Sequence, residues 1–340
     1  MAYYPKEKKV VLTGQPLTNG GSFTFDRFQL DGLGLRKIRL WLSITTDVGA
    51  ADPITWGAYQ YIKGVWLHND RDEYYFKGVP GMSLFRTNSY RFFDGCQPYH
   101  QPILAAAGTY LACLDLPLVY PGLFRPEDTI VETKNLNRLT LELSLGTISD
   151  ILVTPGANVL TATLGIEVIG TRASIGVDKN GIKDPNHAKA YFYAFQQTYP
   201  MHHADVQRYW DLDAASDVGI LGWMMYNHGA SGLPFIGSVA APGNDHITNV
   251  RFGDINHQYL TGLSALDFQQ ARQEMLDFNR HGADLVSPIT RLGEYPHLFV
   301  QDGSVSEGYQ TTFPAKLEYD NATATDETDL VVWGVRTLRG

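Results

Sequence analysis

The sequence predicts an all-β protein made of two tandem sandwich domains. Three observations lead there: alternating apolar and polar residues recur along most of the chain, Gly, Pro and Asn separate these runs, and one order of elements occurs twice. A chain of 340 residues buries a substantial core as one large domain or two medium ones. Its 44% hydrophobic and 19% charged residues are the composition of a folded soluble protein. The 33 Gly, 17 Pro and 12% aromatic residues favour many turns and aromatic-rich strands.

The strand series starts at "SFTFDRFQL" (22–30), with Phe23, Phe25 and Phe28. In "LRKIRLWLSITTD", Ile38, Leu40, Leu42 and Ile44 alternate with Lys37, Arg39, Trp41 and Ser43. "YQYIKGVWLHND", "DEYYFKG" and "TYLACLDLPLVY" follow. The most regular run is "LTLELSLG", where Leu139, Leu141, Leu143 and Leu145 make one face and Thr140, Glu142 and Ser144 the other. "TATLGIEVIGT" closes the first series. Later strands are expected at "AKAYFYAFQQTY", "GILGWMMYN", "HLFVQ", "PAKLEY" and "DLVVWGVRTL". Short runs at this spacing read as a sandwich of antiparallel sheets.

Helix signals are few. In "SALDFQQARQEMLDFNR" (264–280), Ser264 and Asp267 fit a capping box, and Leu266, Phe268, Ala271, Met275 and Phe278 recur at helical spacing. A weaker helix is expected at 81–93, opened by Pro80.

These pieces recur in order. "IKGVWLHND", a loop and "GMSL" match "ILGWMMYNHG", a longer loop and "GLSAL". "LTLELSLG" then "TLGIEVIGT" match "AKLEY" then "LVVWGVRTL". "SIGVDKNGIKDPNHAK" has linker composition. The chain therefore divides into a first domain at 1–173, a linker at 174–189 and a second domain at 190–340. Val331, Trp333 and Val335 are expected to face the second core.

The formal charge of −9 argues against a broad nucleic-acid footprint, which needs an excess of Lys and Arg. Lys6, Lys8 and Lys9 form a local basic cluster in an N-terminal arm, residues 1–9, for which a solvated terminus is the plainer reading. Cys96 and Cys113 make neither a disulfide framework nor a CxxC zinc pair, which fits folding in a reducing cytoplasm. The first residues lack the apolar stretch of a signal peptide, and no run of about 18 apolar residues occurs.

Several residues invite a chemical reading. His202, His203 and Asp205, with Asp245, His246 and His257, could in principle gather a metal. However, neighbours on a strand point to opposite faces, and neither HxH nor HExxH occurs, so surface histidines are the expectation. Asp70, Asp72 and Glu73, near Trp66, Tyr74 and Tyr75, would suit a glycosidase, although "HNDRDE" between two strands is also an ordinary turn. Ser231 in "HGASGLP" lacks the nucleophile-elbow spacing, and no phosphate loop or dinucleotide fingerprint is present. Asn321-Ala322-Thr323 fits a glycosylation acceptor that a cytoplasmic chain would leave unused. No catalytic, metal-binding or cofactor-binding residue is assigned.

"LDLPLVYPGLFRPEDTIVETKNLNRLTLELSLGT" (114–147) resembles the end of the first domain in the double jelly-roll major capsid proteins of tailless icosahedral DNA viruses. The bacteriophage members, often membrane-containing, give the nearest pattern: a strand, an acidic P-E-D-T turn and a long regular strand. The resemblance implies two eight-stranded jelly rolls with short inserted helices, and no catalytic residues or cofactor. It also implies a homotrimer of pseudo-hexagonal outline that tiles a virion shell after synthesis in the host cytoplasm. The implied partners are neighbouring trimers, vertex or minor capsid proteins and an internal membrane met by the N-terminal arm, with no sequence-specific nucleic acid. Two alternatives from the residues are a β-sandwich glycoside hydrolase or lyase, and a carbohydrate-binding phage spike.

Overall fold

The structure is a computed structural model that describes residues 6–28, 33–47, 51–53, 57–88, 99–100, 107–119, 130–133, 136–171, 190–200, 208–211, 218–229, 247–253, 261–264, 294–298, 309–310, 316–321 and 326–337. Strands hold 64% of the described residues, which makes the chain all-β.

The elements of the first half are β1 (Lys6–Leu17), β2 (Ser22–Phe25), β3 (Gly34–Thr46), β4 (Ala51–Pro53), α1 (Gly57–Gln60), β5 (Ile62–Asn69), β6 (Tyr74–Val79), α2 (Gly81–Asn88), β7 (Tyr99–His100), β8 (Gly108–Pro117), β9 (Val131–Glu132), β10 (Leu139–Leu145), β11 (Leu152–Thr154) and β12 (Leu160–Thr171). Those of the second are β13 (Ala190–Pro200), β14 (Arg208–Asp211), β15 (Val218–Gly229), β16 (Ile247–Gly253), β17 (Thr261–Ser264), β18 (Glu294–Leu298), β19 (Tyr309–Gln310), β20 (Lys316–Asn321) and β21 (Asp326–Thr337). By its internal contacts the chain forms two compact units, Met1–Phe195 with Leu338–Gly340, and Gln196–Thr337.

In the first unit one sheet has the order β1-β12-β3-β8 and the other β2-β10-β5-β6. Period-2 alternation decides which side chains go inside. Ile38, Leu40 and Ile44 of β3, Leu164 and Ile166 of β12, and Leu116 of β8 have no exposed surface. On the second sheet Leu139, Leu141, Leu143 and Leu145 are 1%, 0%, 1% and 4% exposed, as their alternation predicts. Leu141 sits between Phe25 of β2 and Leu67 of β5, so the strand is paired on both sides at its middle.

Helix α2 begins where expected, and the Pro80 carbonyl accepts the first bond from the Leu84 N–H at 3.0 Å. Gly81 is required at its start, since a Cβ there would lie 2.6 Å from the Tyr59 carbonyl oxygen. The described helix ends at Asn88, and 89–93 lie outside the described residues. Tyr59 of α1 stacks on Phe85 of α2 with centroids 4.3 Å apart.

The second unit repeats the connectivity. One sheet runs β13-β21-β15-β18 and the other β14-β20-β16-β17. Written against the first unit, each strand takes the place of its counterpart: β13 for β1, β14 for β2, β15 for β3, β16 for β5, β17 for β6, β18 for β8, β20 for β10 and β21 for β12. Each unit thus has eight principal strands in jelly-roll order. Trp223, Met224 and Met225 of β15 are fully buried beside Val332, Val331 and Leu330 of β21 in register. Val331 is 2% exposed, as expected for the second core, while the side chains of Trp333 and Val335 lie outside the described residues.

Three expectations need correction or limits. The run "ILGWMMYNHG" was matched to "IKGVWLHND", but β15 corresponds to β3 and β5 to β16. The two runs look alike because central strands share an apolar pattern, while the place of a strand is set by its pairing partners. The N-terminal basic cluster is not a free arm: Lys6, Lys8 and Lys9 belong to β1 and pair with Thr171, Ile169 and Val168. An edge strand can hydrogen-bond through its backbone while exposing lysine side chains, which also guard the edge. Ser264 closes β17, and the rest of the expected helix 264–280 lies outside the described residues.

Tyr61 provides a pH probe of the first unit. Its side chain is fully buried and its hydroxyl donates to Asn19 Oδ1 at 2.8 Å. Burial pushes its phenol from 10.0 up to about 12. Because the folded value is the higher one, the stability this group contributes is complete below about pH 10 and is lost as pH rises towards 12. Tyr61→Phe is expected to flatten that part of an alkaline stability profile measured by denaturant melts. Superimposable profiles for the two proteins between pH 10 and 12 would contradict the assignment.

Candidate functional site

The carboxylates that suggested sugar chemistry are consumed by a turn. Asn69 ends β5 with 2% exposure, and its Oδ1 accepts the backbone N–H of Arg71 at 2.9 Å and of Glu73 at 3.1 Å. Its Nδ2 donates to Glu73 Oε2 at 2.6 Å. Asp72 holds a positive φ of 56°, a position that Asp tolerates in a tight turn. Asp70 Oδ2 accepts from Asn137 Nδ2 at 2.9 Å on the exposed side. These contacts build the β5–β6 hairpin.

The aromatics beside the turn divide between faces. Tyr75 is buried, 4% exposed, whereas Trp66 and Tyr74 are half-buried. Tyr74 packs against His68 at 5.1 Å between centroids, and His68 Nε2 is 3.5 Å from Glu142 Oε1.

His202, His203, Asp205, Asp245, His246, His257, Ser231 and Cys96 lie outside the described residues. Among the described residues no group of three His, Cys, Asp or Glu side chains could hold a metal. Cys113 of β8 is in no disulfide and 1% exposed, and its thiol donates to Asp115 Oδ1 at 3.9 Å. Asn321 ends β20, and Ala322 and Thr323 lie outside the described residues. No described helix is long and apolar enough to cross a membrane.

A charged ladder on the outer face of the first sheet has no counterpart in the expectations. Register places Glu167 of β12, Arg39 of β3 and Asp115 of β8 in one row across three strands. Asp115 is 1% exposed, and Arg39 grips it with Nε to Oδ1 at 2.6 Å and Nη2 to Oδ2 at 2.9 Å. Lys37 Nζ reaches the same Oδ2 at 2.8 Å. At the other end Lys8 Nζ meets Glu167 Oε1 at 2.9 Å. The Asp115 hydrogen bonds hold the Arg39 guanidinium above even its usual range, outweighing the burial that would lower it. Asn88 of α2 donates to the Asp115 backbone carbonyl at 2.8 Å, which ties the helix to the same strand. The signal in the sequence was a lone Asp inside the apolar run "LACLDLPL", and only the β3–β8 register reveals its partners.

The two edges of the first sandwich differ. At one, α2 packs against β5 and β8. At the other, β1 and β2 each end their sheet among the described residues, and a groove of about 660 Å³ lies there. Its lining includes Val10, Leu12, Phe23 and Phe25, with Lys9 and Arg27.

No family model and no curated protein matches this sequence. Solved structures do. The crystal structure of the major capsid protein of Sulfolobus Turreted Icosahedral Virus aligns with a TM-score of 0.65 at 14% identity, covering 98% of this chain and 97% of that one. The PBCV-1 virus capsid model aligns at 0.59 with 11% identity, covering 98% and 94%. The major capsid protein of bacteriophage PM2 aligns at 0.53 with 10% identity, covering 98% of each chain. At these identities the likeness speaks for the fold, and it spans both units of the chain. With the same eight-strand order repeated in each unit, this chain has the double jelly-roll fold of viral major capsid proteins.

Proposed function

We propose that this protein is the major structural protein of an icosahedral virion shell, working as a closed homotrimer that presents six sandwiches in a pseudo-hexagonal outline. The observation that carries the reading is the repeated strand order, β1-β12-β3-β8 with β2-β10-β5-β6 and its copy in the second unit, in a chain that aligns almost end to end with capsid proteins. Two similar sandwiches per chain make a three-fold ring nearly six-fold in outline, the shape that tiles a shell. Neighbouring trimers and vertex or minor capsid proteins would be its partners. The roles of the described residues agree with a scaffold: the 70–73 carboxylates hold a turn and the Asp115 ladder ties strands together.

Native mass measurement tests this. A stable species of three times the 37.9 kDa chain mass is expected. A monomer at high concentration, with melting that depends on added sugar, would favour the carbohydrate-binding alternative instead.

A further inference from the structure

We infer that the outer face of the β2-β10-β5-β6 sheet, around Trp66, is a carbohydrate-binding platform for a neutral pyranose with equatorial substituents. Val65 and Leu67 are fully buried in the core, so Trp66 between them points outward, where it is half-buried. Its indole leans back along its own strand: a Cβ on Gly64 would stand 2.5 Å from Trp66 Cη2 and 2.7 Å from Cζ3. A Cβ on Gly78 of β6, which holds a φ of +67°, would stand 3.6 Å from Cζ2 and Nε1. Two glycines thus let the ring lie flat on the sheet with its far face to water. Any side chain at position 64 would tip it up.

The groups around the indole select the occupant. Register sets Thr24 of β2, Glu142 of β10 and Trp66 in one row, with His68 and Tyr74 in the next. On the other side Ser144 and Gly64 keep the surface low. Glu142 is 48% exposed, with His68 Nε2 3.5 Å from its Oε1, and Tyr74 packs on the His68 ring. Among the described residues neither Trp66 Nε1 nor the Tyr74 hydroxyl has a hydrogen-bond partner. Two donors, a carboxylate and the Thr24 and Ser144 hydroxyls therefore surround one flat apolar surface. A sugar needs this mixture: axial C–H groups pack on the indole, and hydroxyls that both donate and accept bond at the rim. A cation fits less well, because the one carboxylate of these rows already faces an imidazole.

Covering Gly64 is by itself a structural use for an aromatic ring. It does not call for open donors and a carboxylate beside that ring. The platform binds without cleaving, since glycoside hydrolysis needs two carboxylates facing each other across the bond and these rows supply Glu142 alone. A Kd of about 1 mM is expected for one site, because a flat surface touches one face of its ligand.

The test is saturation-transfer NMR on the full chain with cellohexaose, whose β-linked glucoses present axial C–H groups on both faces. Transfer to the sugar is expected from the parent protein, lost in Trp66→Ala and kept in part in Trp66→Phe. Glu142→Ala should melt like the parent and bind about tenfold more weakly, the worth of one hydrogen bond to a charged group. No transfer from the parent at about 10 mM sugar, some ten times the expected Kd, overturns the inference. So does binding equal to the parent's in a folded Trp66→Ala protein or in Glu142→Ala. The inference does not rest on the trimer reading: native mass decides that one, and sugar transfer this one.

Discussion

Leu141→Asp should abolish folding of the first unit. The side chain has no exposed surface and lies at the centre of β10, with Leu67 on one neighbouring strand and Phe25 on the other. Removing the leucine packing alone costs about 2–5 kcal/mol. An unpaired carboxylate in the same place adds several kcal/mol or forces protonation. Set against a total stability of about 5–15 kcal/mol, the sum leaves little or no native population. Expression should give insoluble protein or a species without a cooperative melt, whereas Glu142→Ala, one residue along on the exposed face, should melt like the parent. A soluble Leu141→Asp protein with a native melt would mean that the inner and outer faces of β10 are reversed.

Asp115→Asn should be the most damaging substitution on the outer face. The change keeps the shape but removes the charge that compensates Lys37 and Arg39, whose side chains are only 12% and 20% exposed. Leaving such a pair without its anion costs about 3–5 kcal/mol. Replacing all three by apolar residues (Lys37→Met, Arg39→Met, Asp115→Leu) should restore most of that loss, because it also removes the cost of keeping charges from water. Urea denaturation of the three proteins provides the comparison. A single variant within about 1 kcal/mol of the parent would show that solvent screens the ladder and that it contributes little.

The sequence was most informative where alternation is cleanest. β3, β10 and β12 each bury one face against the core, and a strict period of two in Ile38–Ile44 and Leu139–Leu145 states which face that is. Of the sixteen principal strands four have no counterpart among the sequence expectations, β1, β14, β16 and β17, and neither do the short β4, β7, β9, β11 and β19. β1 ends its sheet, and its two register slips erase the alternation a reader would look for. β14 and β17 are four residues long, too short for a period to be visible. The carboxylates at 70–73 were legible as a turn because Asn and Asp close hairpins with their own side chains, as Asn69 does here.

The sequence alone therefore determined the class, the doubling and the faces of the long strands, all of which follow from local periodicity and turn chemistry. Tertiary structure alone decided the pairing order, which moved "ILGWMMYNHG" from the place of β5 to that of β3 and drew Lys6–Lys9 into a sheet. It alone brought Asp115 to Arg39, 76 residues apart, and left the β1–β2 edge open. The physical reason is the same in each case. A strand's own residues set which side is apolar, but its neighbours, its register and the edge it leaves free are chosen by the burial of the whole sheet.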